Sequence, residues 1–281
     1  TLLYYLVFHY GPLYGLQIAF KDFNGAFGIL GSPWVGFKHF SNFFSSYYFW
    51  PLVRNTIVIS LYSLIAGFPI PIILALMLNE VKNYKYKKFL QTVYYAPHFI
   101  STVVLVGIIT IFLSPSYGIF NFIRRELGLA PVSYMTDPAA FKHIYVWSGI
   151  WQDAGWGTII YLAALSNVDP ELYEAAKIDG ANRTQRIWYI NIPTIVPIIV
   201  VLLILNFGKI MNVGFEKVFL MQNDLNMDAA DVISTYIYRR GLINANFSFS
   251  SAVGLFNNVI NFMLLIIVNF IANKMSEHSL F

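Results

Sequence analysis

Gln152 and Asp153 stand side by side in a stretch that is otherwise apolar and aromatic, flanked by Trp147, Trp151 and Trp156. A carboxylate about ten residues into a hydrophobic segment is costly unless it faces a cavity, a partner or water. Indole faces that stack, beside an amide and a carboxylate that hydrogen-bond, suit a sugar ring, which makes Trp151, Gln152, Asp153 and Trp156 candidates for a permeation path. A structural hydrogen bond for Asp153 and interfacial anchoring for the tryptophans are the alternatives. A second constellation, Glu174, Ala175, Ala176, Asp179, Gly180, Ala181 and Arg183, combines small residues with two carboxylates. That is a knob able to enter a groove on another protein, or an ordinary capped connector. A third, Asp231 with Arg239 and Arg240, is either a local ion pair or a contact for an extracellular protein.

Covalent chemistry has few candidates. His9, His39, His98, His143 and His278 show no metal-ligand spacing, and no HExxH, GxSxG or phosphate-binding G-x4-G-K-[ST] run is present. With no cysteine there is no thiolate ligand, nucleophile or disulfide. The expectation is therefore no catalytic residue, no metal and no cofactor in this chain. The net charge of +4 is too mild and too dispersed for nucleic-acid binding.

The elements that position these residues follow from composition. Of 281 residues, 57% are hydrophobic, 18% aromatic and only 11% charged, with a mean hydropathy of +0.60. A soluble domain averages about 25% charged, so the chain is expected to be an all-α, polytopic membrane protein. At roughly 20 apolar residues per crossing, six spans are predicted within a single transmembrane domain, 1–281. They cover about 1–20, 52–78 (kinked at Pro69 and Pro71), 92–113, 144–165, 192–211 and 252–272. The first opens apolar with no basic flank and reads as a truncated span. The short connections, including Lys82, Lys85, Lys87 and Lys88, carry as many basic residues as the long ones in roughly half the length. The short loops and both termini are thus expected in the cytoplasm. In the last long connection, Asp228 is expected to cap a helix reaching Arg239, with Gly241 as its stop.

The connection 167–191 is the most informative. Asp169 is a ready N-cap, Pro170 suits the first helical position and Glu171 the positive helix end. A short helix should run to Asp179, and Gly180 should end it in a left-handed conformation. A second short helix, Arg183 to about Tyr189, should lead into the fifth span. Leu172, Tyr173, Ala175, Ala176 and Ile178 form an apolar face that needs a partner.

The spacing Glu174-Ala175-Ala176-x3-Gly180-x9-Ile190-x-Ile192-Pro193 resembles the EAA loop of the membrane subunits of binding-protein-dependent ABC importers, with Ile192 where the usual residue is Leu. Gly15–Phe23 (GLQIAFKDF) and Ala230–Leu242 (ADVISTYIYRRGL) are similar to segments of oligosaccharide permeases of the lipopolysaccharide-permease-B and maltose-permease type. The resemblance implies a bacterial plasma-membrane subunit that docks its loop into a cytoplasmic ATPase. It also implies a second homologous permease, two ATPase subunits that bind ATP and Mg, and an extracellular substrate-binding protein. Three other readings stay open: an ABC permease for peptide or amino-acid cargo, an ion-coupled secondary transporter, and a membrane enzyme acting on lipid-linked sugar.

Overall fold

The computed structural model describes residues 2–275. Thr1, where the first predicted span begins, and 276–281 of the predicted cytoplasmic tail, with His278, lie outside the described residues. Within them the chain is helical, and one isolated bridge between Lys21 and Trp34 stands in place of any strand.

The N-terminal segment is irregular. A helical turn at Leu2–Tyr5 passes into a π turn, Leu6–Tyr10, and then a 3-10 stretch, Gly11–Phe20, rather than the continuous α-helix expected over 1–20. Helix α1 (Lys38–Phe44) follows, in the aromatic region 37–50 expected to hold interfacial helices. Helix α2 (Phe49–Asn79) passes through Phe68 with helical dihedrals, so Pro69 and Pro71 mark a break in its hydrogen-bond ladder and not an end.

The predicted third span is corrected. Helices α3 (Tyr84–Tyr95) and α4 (Thr102–Phe112) meet at 96° across a 3-10 turn at Ala96–Phe99. Pro97 has no N–H with which to continue the ladder. Ser101 then caps a new helix, its Oγ accepting from Val104 N at 3.4 Å. A short helix α5 (Ile119–Glu126) precedes α6 (Pro138–Ser166), which is longer than the predicted 144–165 because Asp137 caps it six residues earlier, accepting from Ala139 N at 2.8 Å.

Helix α7 (Pro170–Ile178) leads to α8 (Arg183–Phe207). The short helix expected from Arg183 begins there, and a π turn at Ile187–Asn191 carries it without a break into the fifth predicted span. That span ends at Phe207, short of Met211, in successive turns. After α9 (Phe215–Met221), the helix expected from Asp228 to Arg239 is divided. A turn at Met227–Ala230 is followed by extended Val232 and then α10 (Ile233–Tyr238). Ile233 N donates to Thr56 Oγ1 on α2 at 3.1 Å, a tertiary bond in place of the intrahelical one that a continuous helix would need. Gly241 falls inside a π turn, Arg239–Ile243, and not in a left-handed stop. Helix α11 (Phe247–Met275) exceeds the predicted 252–272 at both ends.

Among the described residues, α2, α8 and Phe247–Lys274 are long and apolar enough to cross a bilayer, and the bent α3–α4 pair would be a fourth. Helix α6 is long enough but carries the polar residues Gln152 and Asp153. It packs along α2 and α3. A Cβ on Gly155 would lie 1.9 Å from Tyr94 O, so only glycine permits that approach. Ala75, Leu76, Tyr161, Leu165 and Ile195 bind α2, α6 and α8 into one core. Phe43, Leu52, Ile233, Tyr236 and Val253 bind α1, α2, α10 and α11 into another. Asn212 Oδ1 accepts from the Asn257 and Asn261 amides, at 2.8 and 3.1 Å, fixing α11 against the turn after α8.

Candidate functional site

A cavity of about 650 Å³ opens between α2, α6, the end of α8 and α9. Gln152 and Asp153 line it; Trp151 and Trp156 are not among its lining residues. Trp151 stands two residues past Gly149, which does line the cavity, and so about 200° around the helix. The Trp156 ring is occupied by His98, stacked on it at 4.5 Å with planes 10° apart. His98 Nδ1 lies 2.9 Å from Asp153 Oδ1, and Gln152 Nε2 donates to Ile100 O at 2.7 Å. The polar pair on α6 therefore satisfies the backbone and side chain left open where α3 and α4 break, while Asp153 remains exposed to the cavity.

The remaining polar lining, Lys209 within the predicted fifth span apart, was not legible in the sequence. Ser60 and Ser63 come from α2, Tyr145 from α6, Asn206 from α8, and Lys209 and Lys217 from the connection beyond it. Lys217 is nearly buried. Its ammonium donates to Tyr145 O at 2.9 Å and lies 4.9 Å from the centre of the Tyr145 ring. Burial pushes its pKa down to about 8, against an opposing pull from Asp153.

The loop 167–191 is built as its residues dictate. Asp169 Oδ1 accepts from Glu171 N at 3.0 Å, with Pro170 at the first helical position. Gly180 sits at φ +78°. Ala181 N donates to Ala176 O at 2.8 Å and Gly180 N to Lys177 O at 3.1 Å, the paired bonds of a Schellman end. Asn182 and Gln185 exchange reciprocal bonds of 2.8 and 2.9 Å, a capping box whose Asn-x-x-Gln spacing is legible in the sequence. Glu174, Ala175, Asp179, Gly180 and Arg183 are exposed, with Ala176 and Ala181 partly so. Ile178 is 87% exposed and Leu172 53%, so among the described residues the outer part of the apolar face has no cover.

The loop is nevertheless braced. Arg186 Nη2 lies 3.6 Å from Glu80 Oε2 at the end of α2, both side chains largely buried. Tyr173 Oη donates to Asn191 Oδ1 on α8 at 2.6 Å, and burial raises the Tyr173 pKa.

In the last connection, Asp231 is buried and its carboxylate is taken by Arg239 and by Thr235 Oγ1. Arg240 lies over the rings of Tyr236 and Tyr48, at 5.4 and 5.8 Å from their centres. The local ion pair therefore forms between Asp231 and Arg239, and Arg240 stands beside it on aromatic faces.

Residues 67–277 match the family described as binding-protein-dependent transport system inner membrane component. The chain belongs to that family. The permease is 44% identical over 280 residues to protein LplB of Bacillus subtilis (strain 168), covering 100% of this chain and 88% of that one. It is 43% identical over 279 residues to the polygalacturonan/rhamnogalacturonan transport system permease protein YteP of the same organism, covering 99% and 87%. A chain of a bacterial alginate ABC transporter, solved in complex with an alginate pentasaccharide-bound periplasmic protein, superposes with a TM-score of 0.91. It is 42% identical to the permease, with 99% of this chain and 93% of that one covered.

Proposed function

We propose that this permease supplies half of the translocation path of an ATP-driven importer for oligosaccharides. It takes cargo from an extracellular binding protein and is driven by ATPase subunits that grip its 167–191 loop. The carbohydrate assignment draws on relatives whose names specify polygalacturonan, rhamnogalacturonan and alginate. The observation that carries the mechanism is the loop itself, a rigid, exposed knob tied by Arg186 to α2 and by Tyr173 to α8.

In this reading the whole chain is one membrane domain with six crossings: the N-terminal segment, α2, the bent α3–α4 pair, α6, α8 and α11. Both termini and the short loops face the cytoplasm, in the plasma membrane of a bacterium. Two ATPase subunits, which bind ATP and Mg, close on one such loop each. Glu174, Ala175, Ala176, Asp179, Gly180, Ala181 and Arg183 form the surface that one of them holds, while a second homologous permease completes the path. Closure moves α2 and α8 together, opening the cavity outward for cargo; hydrolysis resets it. Gln152 and Asp153 face the cargo, with Trp151 and Trp156 framing the path from outside the cavity. Arg239, fixed by Asp231, and Arg240, held on the Tyr236 and Tyr48 rings, meet the binding protein.

Co-purification of the ATPase with wild type, Glu174→Arg and Gly180→Pro tests this. Proline is locked near φ −65° and lacks the N–H that Gly180 donates to Lys177. Both variants should insert in the membrane but retain less than about a tenth of the ATPase and of cargo-stimulated hydrolysis, since each distorts a compact interface. Full retention of complex and coupling by both would overturn the docking mechanism.

A further inference from the structure

The cavity has an unbalanced charge. Lys209 and Lys217 line it against a single carboxylate, Asp153, and that group is engaged by His98. Neither lysine makes an ion pair among the described residues. The Lys217 ammonium is nearly buried yet has one hydrogen bond, to Tyr145 O, out of three donors. Withdrawing a cation from water without an anion is costly, and a ligand that brings the anion recovers that cost. Lys209, exposed on the turn after α8, lines the same cavity. Ser60, Ser63, Asn206 and Asn212 surround them with neutral hydrogen-bonding groups of the kind hydroxyls require. The volume, about 650 Å³, lies in the range of small-molecule sites, about 300–1,000 Å³.

We infer that Lys209 and Lys217 form a carboxylate subsite, which selects oligosaccharides containing uronic acid as cargo. This rests on the carbohydrate-importer reading above and narrows it. The ammonium of Lys217, aligned by Tyr145, holds the sugar carboxylate, Lys209 adds the second contact, and the serines and asparagines take the ring hydroxyls. The depressed pKa of Lys217 is consistent with a cation held for an anion that arrives with the cargo.

The test is uptake into proteoliposomes by the complete transporter, comparing trigalacturonate with its neutral counterpart, a galactose trisaccharide. Wild type should favour the charged trisaccharide. The charged-to-neutral ratio should fall about tenfold or more in Lys209→Gln and in Lys217→Gln, as expected for loss of a charged hydrogen bond. Lys217→Arg should restore it. Because Lys217 also ties α9 to α6, its Gln variant could fail to assemble; Lys209, exposed on a turn, decides the matter in that event. An unchanged ratio in Lys209→Gln, or a wild type that carries the neutral sugar at least as well, would overturn the subsite while leaving the carbohydrate reading intact. A wild type that carries neither sugar, with its ATPase still active, would overturn both.

Discussion

Lys217 concentrates the chemistry of the site in one side chain, and its titration gives a direct test. The groups facing it are the Tyr145 ring and carbonyl and the Asp153 carboxylate on α6, and Lys209 lines the same cavity. Burial lowers its pKa from 10.5 to about 8, so the ammonium persists below that value and is lost above it. Uptake of a carboxylated trisaccharide should therefore decline as pH rises from 7 to 9, with its midpoint near 8, and the decline should be absent in Lys217→Arg. The sign for stability is opposite. A lysine with a lowered folded pKa binds fewer protons folded than unfolded between about 8 and 10.5, so folding is favoured as pH rises through that window. A pH profile identical in wild type and Lys217→Arg would remove Lys217 from the cargo site. Nothing in the sequence marked this residue, because α9 is a seven-residue helix in a connection and its place beside Tyr145 is a purely tertiary fact. Asp153, by contrast, announced itself by its cost in an apolar run, and the structure gives it both a partner and a cavity.

At the scale of elements, what was legible was what is local. Asp169, Pro170 and Gly180 specify α7 from start to stop within a dozen residues, and each does what its type allows. The failures share a tertiary cause. The break between α3 and α4 survives in apolar surroundings because Gln152, about fifty positions later, supplies a donor to Ile100 O. The helix from Asp228 breaks where Ile233 N donates to Thr56 Oγ1 on α2. The brace under the 167–191 loop is likewise long-range. Glu80 closes α2 and Arg186 lies in the first turn of α8, and the pair, 3.6 Å apart and largely buried, links the ends of the two helices. Breaking it should separate binding from coupling. Arg186→Ala should still co-purify with the ATPase, since the exposed face of α7 is untouched. Cargo uptake per ATP hydrolysed should nevertheless fall several-fold, because a buried pair that loses one partner leaves the other charge unsatisfied. The charge reversal Glu80→Arg with Arg186→Glu should recover part of that coupling. Equal loss of complex and of uptake in Arg186→Ala would mean that Arg186 belongs to the docking surface instead of the brace.

At the scale of the molecule, the open matter is which helices cross. Helix α4 has 11 residues and rises about 16 Å, roughly half of a hydrocarbon core. It cannot cross alone, and α3 leaves it at 96°. Either α3 slopes inward from the inner surface, with Lys85, Lys87 and Lys88 near its start at the headgroups and the 96–101 stretch and α4 completing the crossing beside α6; or the pair dips in and returns to the side it came from. The contact of Tyr94 with Gly155, in the middle of the 29-residue α6, favours the first, since it holds the break well inside the bilayer. The chain has no cysteine, so single cysteines report position without a background. Lys85 and Glu174 lie exposed in short connections, Ser116 and Asp224 in long ones. In right-side-out vesicles, a membrane-impermeant maleimide should label Ser116→Cys and Asp224→Cys. It should reach Lys85→Cys and Glu174→Cys only after permeabilisation, with at least about a tenfold contrast, because the charged reagent is excluded from the hydrocarbon core. Labelling of Lys85→Cys and Ser116→Cys from the same face would make the pair re-entrant. The crossings would then no longer place the 167–191 loop and the long connections on opposite sides, and the coupling mechanism would have to be rebuilt around a different topology.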